Sequence, residues 1–174
     1  MAAITDADKT TFDDDDWTIS DQIAQANEGS PVFLSNSDIG LKNQRSALIC
    51  ASCQWRKSNQ GIAIVPYVIS SNYTDTSRDF ITSAMLEFTT MTCVHFQNRT
   101  TEPNYLSFED KGGCWSSIGK VNGRQTVSIE EDSCMNYGVI QHEIMHSLGF
   151  DHEHIRTDRD NYVAINWQYI SKGK

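Results

Sequence analysis

One thirteen-residue stretch, HEIMHSLGFDHEH at residues 142–154, holds four of the five histidines of the chain. If this stretch begins as a helix, His142 and His146 lie one turn apart on the same face, so both imidazoles can reach one metal ion. Gly149 tolerates the left-handed backbone that ends a helix, and the resulting turn can bring His152 back as a third ligand. Three protein ligands leave one position open for water, which is typical of a catalytic zinc site.

Glu143 follows the first of these histidines and is placed to take a proton from a water that attacks a carbonyl. A lone HExxH occurs by accident in many helices, and a buried histidine is more often satisfied by hydrogen bonds than by a metal. The longer pattern HExxHxxGxxH fixes five positions, and a product of residue frequencies puts its chance occurrence at about one in a hundred thousand. The stretch therefore predicts a zinc site built for hydrolysis.

The composition indicates one domain that neither spans a membrane nor binds nucleic acid. At 174 residues the chain is long enough for a single real core. It contains no run of eighteen apolar residues, so we expect no membrane span. Its net charge is −9, and residues 1–45, with three basic and nine acidic side chains, contribute −6 of it. No basic patch indicates nucleic acid as a partner.

Five cysteines and two glycosylation sequons, at Asn72 and Asn98, favour a secreted protein in an oxidising compartment. The first residues have neither a basic region nor an apolar run, so no signal peptide is visible. An odd number of cysteines means that one partner lies elsewhere or that one thiol is free. We therefore expect the sequence to be incomplete at both ends.

The chain from Ser46 onward predicts a mixed α+β domain. Short segments bounded by turn residues predict strands at residues 61–69, 93–97, 105–109 and 125–129. Pro66 lies inside the first of these segments, which favours an edge strand or a bulge. Helices are predicted from Asp75 or Thr76 to about residue 90, and over about residues 139–148. Residues 16–26 suit a short helix, although a solvated acidic tail is at least as good an interpretation.

The segment HEIMHSLGFDHEHIRTDRD matches HExxHxxGFxHExxRxDRD at every fixed position, and the match extends upstream through CQWRKSNQGIAIVPYVIS and GCWSSIG…SCMNYGVIQHE. On these residues the chain resembles the astacin family of zinc metalloendopeptidases. Within that family it looks similar to the six-cysteine group that includes fish hatching enzymes and nephrosin. The resemblance covers about residues 34–172. It implies the N-terminal subdomain of a zincin-like fold, a twisted mixed sheet with two long helices, the second carrying the zinc motif.

The resemblance assigns roles to residues of the motif. It makes His142, His146 and His152 the ligands of one Zn²⁺. Glu143 becomes the general base and later the acid that protonates the leaving amine. Glu153 would pair with the ammonium group of the mature N-terminus, because a buried ammonium is costly unless it is paired.

The resemblance also implies disulfides. Cys114 would pair with Cys134, and Cys50 with Cys53. The usual partner of Cys93 lies near the end of the family's domain and is missing here, which accounts for the odd count. The alternative for Cys50 and Cys53, a second metal site, is weaker because the chain has only one CxxC.

Members of this family are made as zymogens, in which an aspartate of the prosegment occupies the open position of the zinc. In LSNSDI that residue is Asp38, and Ser37 stands where the family usually has glycine. The alternative for Asp38 is an ordinary exposed loop acid. Cleavage after Arg45 by an activating, trypsin-like protease would separate the propeptide-like segment 1–45 from residues 46–174, the N-terminal part of a peptidase domain.

The sequence thus predicts a secreted zinc endopeptidase that holds a protein or peptide substrate along an edge strand. The alternative is a catalytically inactive zinc-binding fragment, because the methionine turn and the second half of the family's substrate cleft lie beyond Lys174. A reprolysin- or matrixin-like protease shares the three histidines, but GFxHE followed by RxDRD argues against it.

Overall fold

The structure is a computed structural model that describes residues 18–30, 32, 34–35, 37–40 and 51–169. The expected cleavage site, Arg45 and Ser46, lies outside these residues, and so does Cys50. Across the described ranges no helix is long and apolar enough to cross a membrane.

A seven-stranded mixed sheet organises the described residues. Its strands are β1 (Leu34–Ser35), β2 (Ile39–Gly40), β3 (Ala63–Ile69), β4 (Val94–Asn98), β5 (Tyr105–Glu109), β6 (Cys114–Ser116) and β7 (Arg124–Ile129). The spatial order is β1-β2-β6-β7-β5-β3-β4. The β1/β2 and β6/β7 pairs are antiparallel, and the other four pairs are parallel.

The described residues form three α-helices, α1 (Ile19–Ala26), α2 (Asp75–Met91) and α3 (Tyr137–Leu148). Side chains cap their first turns: Thr74 accepts a hydrogen bond from the Ser77 N–H, and Asn136 accepts one from the Gly138 N–H. Thr18 forms a capping box at the start of α1, so residues 19–26 are a helix and not a solvated tail. The predicted α+β fold with two long helices, the second carrying the zinc motif, is confirmed.

Pro66 does not mark an edge strand, because β3 lies between β4 and β5. The Ala63 N–H donates to Cys93 O, and Tyr67 O accepts from the Arg99 N–H, so alternate residues of β3 bond toward β4. Pro66 therefore faces β5, and the pairing of β3 with β5 begins only at Tyr67. The missing N–H falls just before that ladder starts, which is how an interior strand accommodates a proline.

The core lies where α2 and α3 contact each other and the sheet. Its fully buried side chains come from both helices and from the central strands, among them Ile81, Ile144, Leu106, Phe108 and Val127. Ile23 of α1 belongs to the same cluster and is only 1% exposed. Helix α1 is thus packed into the core through Ile23 and does not lie loosely on the surface.

Candidate metal centre

Helix α3 presents two of the three predicted ligands. His142 and His146 are four residues apart and lie on the same face, as the helical period requires. The helix ends at Gly149, whose φ of 111° is in the left-handed region that favours glycine. The chain reverses there and brings His152 back beside the other two rings.

The three imidazoles converge on one point together with a carboxylate. The Nε2 atoms of His142 and His146 lie 2.9 Å apart, and those of His142 and His152 lie 3.2 Å apart. Asp38 Oδ2 lies 2.9 Å from His142 Nε2, 3.1 Å from His152 Nε2 and 3.6 Å from His146 Nε2. Four ligand atoms that all lie within 4.8 Å of one another form a candidate metal site.

The hydrogen bond of His146 Nδ1 suits a metal at this point. This Nδ1 lies 2.8 Å from Phe150 O, and a carbonyl can only accept, so Nδ1 carries the proton. The Nε2 atom of a neutral ring then presents its lone pair to the cluster, as a zinc ligand must. Tetrahedral zinc with nitrogen and oxygen ligands separates those atoms by about 3.4 Å. The measured separations of 2.9–3.6 Å bracket that value, so the residues fit the ion.

Asp38 is buried, 2% exposed, and is not an ordinary loop acid. Burial alone would raise the pKa of its carboxyl, but its hydrogen-bonding contacts with His142 and His152 outweigh burial and hold the pKa well below its usual range. The residue lies between a turn and β2, and its carbonyl accepts from the Ser116 N–H at 3.0 Å. The structure thus places Asp38 at the three histidines.

Glu143 is fully buried, and neither of its carboxylate oxygens has a hydrogen-bond partner among the described residues. Burial raises the pKa of this carboxyl well above its usual value, and the negative charge of Asp38 raises it further. An unsatisfied buried carboxyl is costly and calls for an explanation. A group that takes and releases a proton in a water-poor site is one such explanation.

Glu153 is not one of the four candidate ligand residues. Its side chain is 62% exposed, and Oε1 lies 3.3 Å from Arg156 Nη1. The expected partner, the N-terminus at Ser46, is outside the described residues.

Cys114 and Cys134 form a disulfide with an S–S distance of 2.10 Å, and both residues are fully buried. Cys53 is also disulfide-bonded, while Cys50, its expected partner, is outside the described residues. Cys93 is a free thiol.

Asn27 binds both the turn that contains Ser37 and strand β6, a role that no motif in the sequence predicts. Its only local signal is its place at the end of a short helix, before a turn with Gly29.

The sequence model of one protein family, the Astacin family of peptidases, matches this chain over residues 51–174. Among curated proteins, the "Astacin-like metalloendopeptidase" of Gallus gallus is 45% identical over 159 residues, which is 91% of this chain and 39% of that protein. The "Low choriolytic enzyme" of Oryzias latipes is 44% identical over 158 residues, 88% of this chain and 58% of that protein.

Among solved structures, the fold is similar to that of High choriolytic enzyme 1, described as a hatching enzyme zinc-protease from Oryzias latipes. The TM-score is 0.67 with 44% sequence identity, over 73% of this chain and 64% of that one. The chain spans only 39–60% of the length of the first curated relatives it matches.

Proposed function

Because the chain belongs to the astacin family of peptidases, we propose that it carries the zinc-binding and catalytic residues of a secreted metalloendopeptidase. The observation that supports this most directly is the convergence of three histidine Nε2 atoms beside a buried glutamate that has no partner among the described residues. Peptide hydrolysis needs both an electrophile and a proton acceptor at one point.

In this proposal His142, His146 and His152 hold one Zn²⁺. When bound, the ion polarises the scissile carbonyl and makes water a better nucleophile at neutral pH. Glu143 accepts the proton of that water and then gives it to the leaving amine. Its buried position suits both steps, because a raised carboxyl pKa brings the group closer to the pH at which it must exchange protons.

Asp38 keeps the proposed enzyme latent. Its carboxylate takes the position that water and substrate need, so residues 1–45 must leave before the enzyme can act. An activating protease that cuts after Arg45 would achieve this. Glu153 would then exchange its exposed contact with Arg156 for the ammonium of Ser46.

The substrate is a protein, held as an added strand on β6. Strand β2 pairs with β6 in parallel, with Ile39 opposite Ser116. When β2 leaves with the prosegment, the Ser116 N–H loses its bond to Asp38 O and becomes available to the backbone of a substrate.

The test is zinc content and protein hydrolysis on residues 46–174, released from the whole chain by cleavage after Arg45. Glu143→Gln is the matched variant, since it keeps the size of the side chain and removes the proton acceptor. We expect one zinc per chain in both proteins. Hydrolysis of denatured casein should be about 10²- to 10⁴-fold slower in the variant.

Equal hydrolysis by Glu143→Gln would contradict the role of Glu143, and a chain that binds no zinc would contradict the whole proposal. Zinc binding without hydrolysis by either protein would support the alternative, a catalytically inactive zinc-binding fragment.

A further inference from the structure

The side chain of Asn27 joins three parts of the fold. Its Nδ2 donates to Ser37 O at 2.8 Å and to Cys114 O at 2.6 Å, and its Oδ1 accepts from the Cys114 N–H at 2.7 Å. The amide thus pairs with both backbone groups of Cys114 as a neighbouring strand would. Its remaining N–H reaches the residue directly before Asp38.

The cap of α1 does not use this side chain. The end of α1 is closed by the backbone N–H of Asn27, which donates to Gln25 O and Ile23 O. The side-chain amide is therefore free to bind groups outside the helix, and all three of its bonds go to residues ten or more positions away.

A glycine precedes strand β6 at the point where Asn27 approaches. A Cβ on Gly113 would lie 2.0 Å from Asn27 Oδ1 and 3.2 Å from Ala26 O. Since real Cβ atoms essentially never come so close to another atom, a larger residue at 113 would push the amide away. The position before Cys114 is shaped to receive Asn27.

The residue that Asn27 holds has an unfavourable backbone. Ser37 has a φ of 79° and is the one positive-φ residue other than glycine in the described ranges. A side chain in this left-handed region costs free energy that glycine would not. A contact is needed to keep the turn in this conformation, and the bond from Asn27 Nδ2 to Ser37 O is such a contact.

We propose that Asn27 is a positioning residue for latency: it fixes the Ser37 turn to β6 and thereby keeps Asp38 on the histidine cluster. This inference rests on the proposed role of Asp38 and adds to it that helix α1 is an inhibitory element. It also explains how the chain keeps Asp38 in place with serine, not glycine, at position 37.

The experiment measures release of zinc from the intact, uncleaved 174-residue chain to the chromogenic chelator 4-(2-pyridylazo)resorcinol. Asp38 closes the fourth position, so release should be slow in the wild type and fast in Asp38→Ala. Asn27→Ala frees the turn, and we expect release about tenfold faster than in the wild type. Asn27→Asp, which keeps the oxygen but loses both donors, should also release zinc faster and serves if the alanine variant folds poorly.

Two controls separate positioning from general damage. Glu28→Ala changes an exposed neighbour in the same turn and should release zinc at the wild-type rate. Adding Ser37→Gly to Asn27→Ala should slow release again, because glycine adopts the left-handed turn without strain. A merely structural role for Asn27 would not be rescued at position 37.

Fast release by Asp38→Ala with wild-type release by Asn27→Ala and Asn27→Asp would overturn this inference and leave the proposed role of Asp38 standing. Slow release by Asp38→Ala would overturn that role and this inference with it.

Discussion

At the scale of single residues, the buried carboxyls of Asp38 and Glu143 are the most informative about the chemistry of the site. Asp38 and Glu143 are both shielded from solvent beside the same histidines, yet their pKa values shift in opposite directions. Asp38 lies within hydrogen-bond distance of His142 and His152, while Glu143 has no partner in the described part of the chain. Burial raises the pKa of both carboxyls, and only Asp38 has contacts strong enough to reverse it.

Glu109 is a third buried carboxyl, and we expect its contribution to the unfolding free energy to depend on pH. Burial raises its pKa, but hydrogen bonds from Ser107 and Arg124 and the charges of Arg124 and Lys111 outweigh this, so the pKa is lowered in the fold. A lowered folded pKa stabilises the protein above the unfolded pKa of about 4.5, and the effect is lost as pH falls through the folded pKa. Glu109→Gln should cost about 1–2 kcal/mol of unfolding free energy at pH 7.

The measurement is urea unfolding of the metal-free chain at pH 7 and again below pH 4.5. The difference in unfolding free energy between wild type and Glu109→Gln should become smaller at the lower pH. Asp132→Asn, at an exposed turn position, should have the same unfolding free energy as wild type. If this difference in unfolding free energy is the same at both pH values, Glu109 does not stabilise the fold through its charge.

At the scale of elements, short strands and a disulfide connect residues 34–40 to the site. Strand β6 has three residues, yet it pairs with β2 on one side and β7 on the other. The bond between Cys114 and Cys134 ties the start of β6 to the loop before α3. Both walls of the site, β6 and the helix of His142, are therefore linked covalently.

Removing this disulfide should destabilise the chain. The closed loop has a sequence separation of 20, for which restriction of the unfolded chain accounts for about 3 kcal/mol. The double variant Cys114→Ala/Cys134→Ala should lose about that much unfolding free energy in urea. Cys93→Ala removes a free thiol and is the matched control. An equal loss in both variants would mean that the cross-link itself contributes nothing.

At the scale of the whole molecule, the segment formed by the described residues from 18 to 40 is part of the folded protein. It supplies one helix, two strands and one member of the core cluster, in addition to Asp38. Gly138 lets α1 approach α3 closely, since a Cβ there would lie 2.5 Å from Ile19 Cδ1. Removing such a segment takes away apolar burial as well as the carboxylate that lies at the three histidines.

Ile23 tests this packing. Ile23→Ala leaves a cavity in the uncleaved chain and should lower its unfolding free energy by about 2–4 kcal/mol, measured by chemical unfolding. Gln25→Ala, on the exposed side of the same helix, should change it little. If both variants behave alike, α1 is not part of the core in solution.

The sequence predicts those structural features that are set by residues close together in the chain, and it predicts poorly those that depend on distant residues. Helix α3, its end at Gly149 and the return of His152 follow from eleven neighbouring residues, because spacing and caps are local. The four predicted strands β3, β4, β5 and β7 appear within two residues of their expected bounds. The sequence predicts only one extended segment, residues 31–41, where β1 and β2 lie, and no strand at β6, because two or three residues show no alternation to detect.

The sequence by itself predicted the three converging histidines, the glutamate beside the first of them and the fold class, since each prediction rests on residue chemistry at short spacing. The family resemblance predicted Asp38 at the histidines, and the structure shows it beside His142, 104 positions away. Only the tertiary structure decided that Asn27 pairs with Cys114 across 87 positions. It also decided that β3 is an interior strand and that Ser37 adopts a left-handed backbone. Such features depend on which surfaces bury one another. The free energy of that packing is set by contacts between distant segments and not within any one segment.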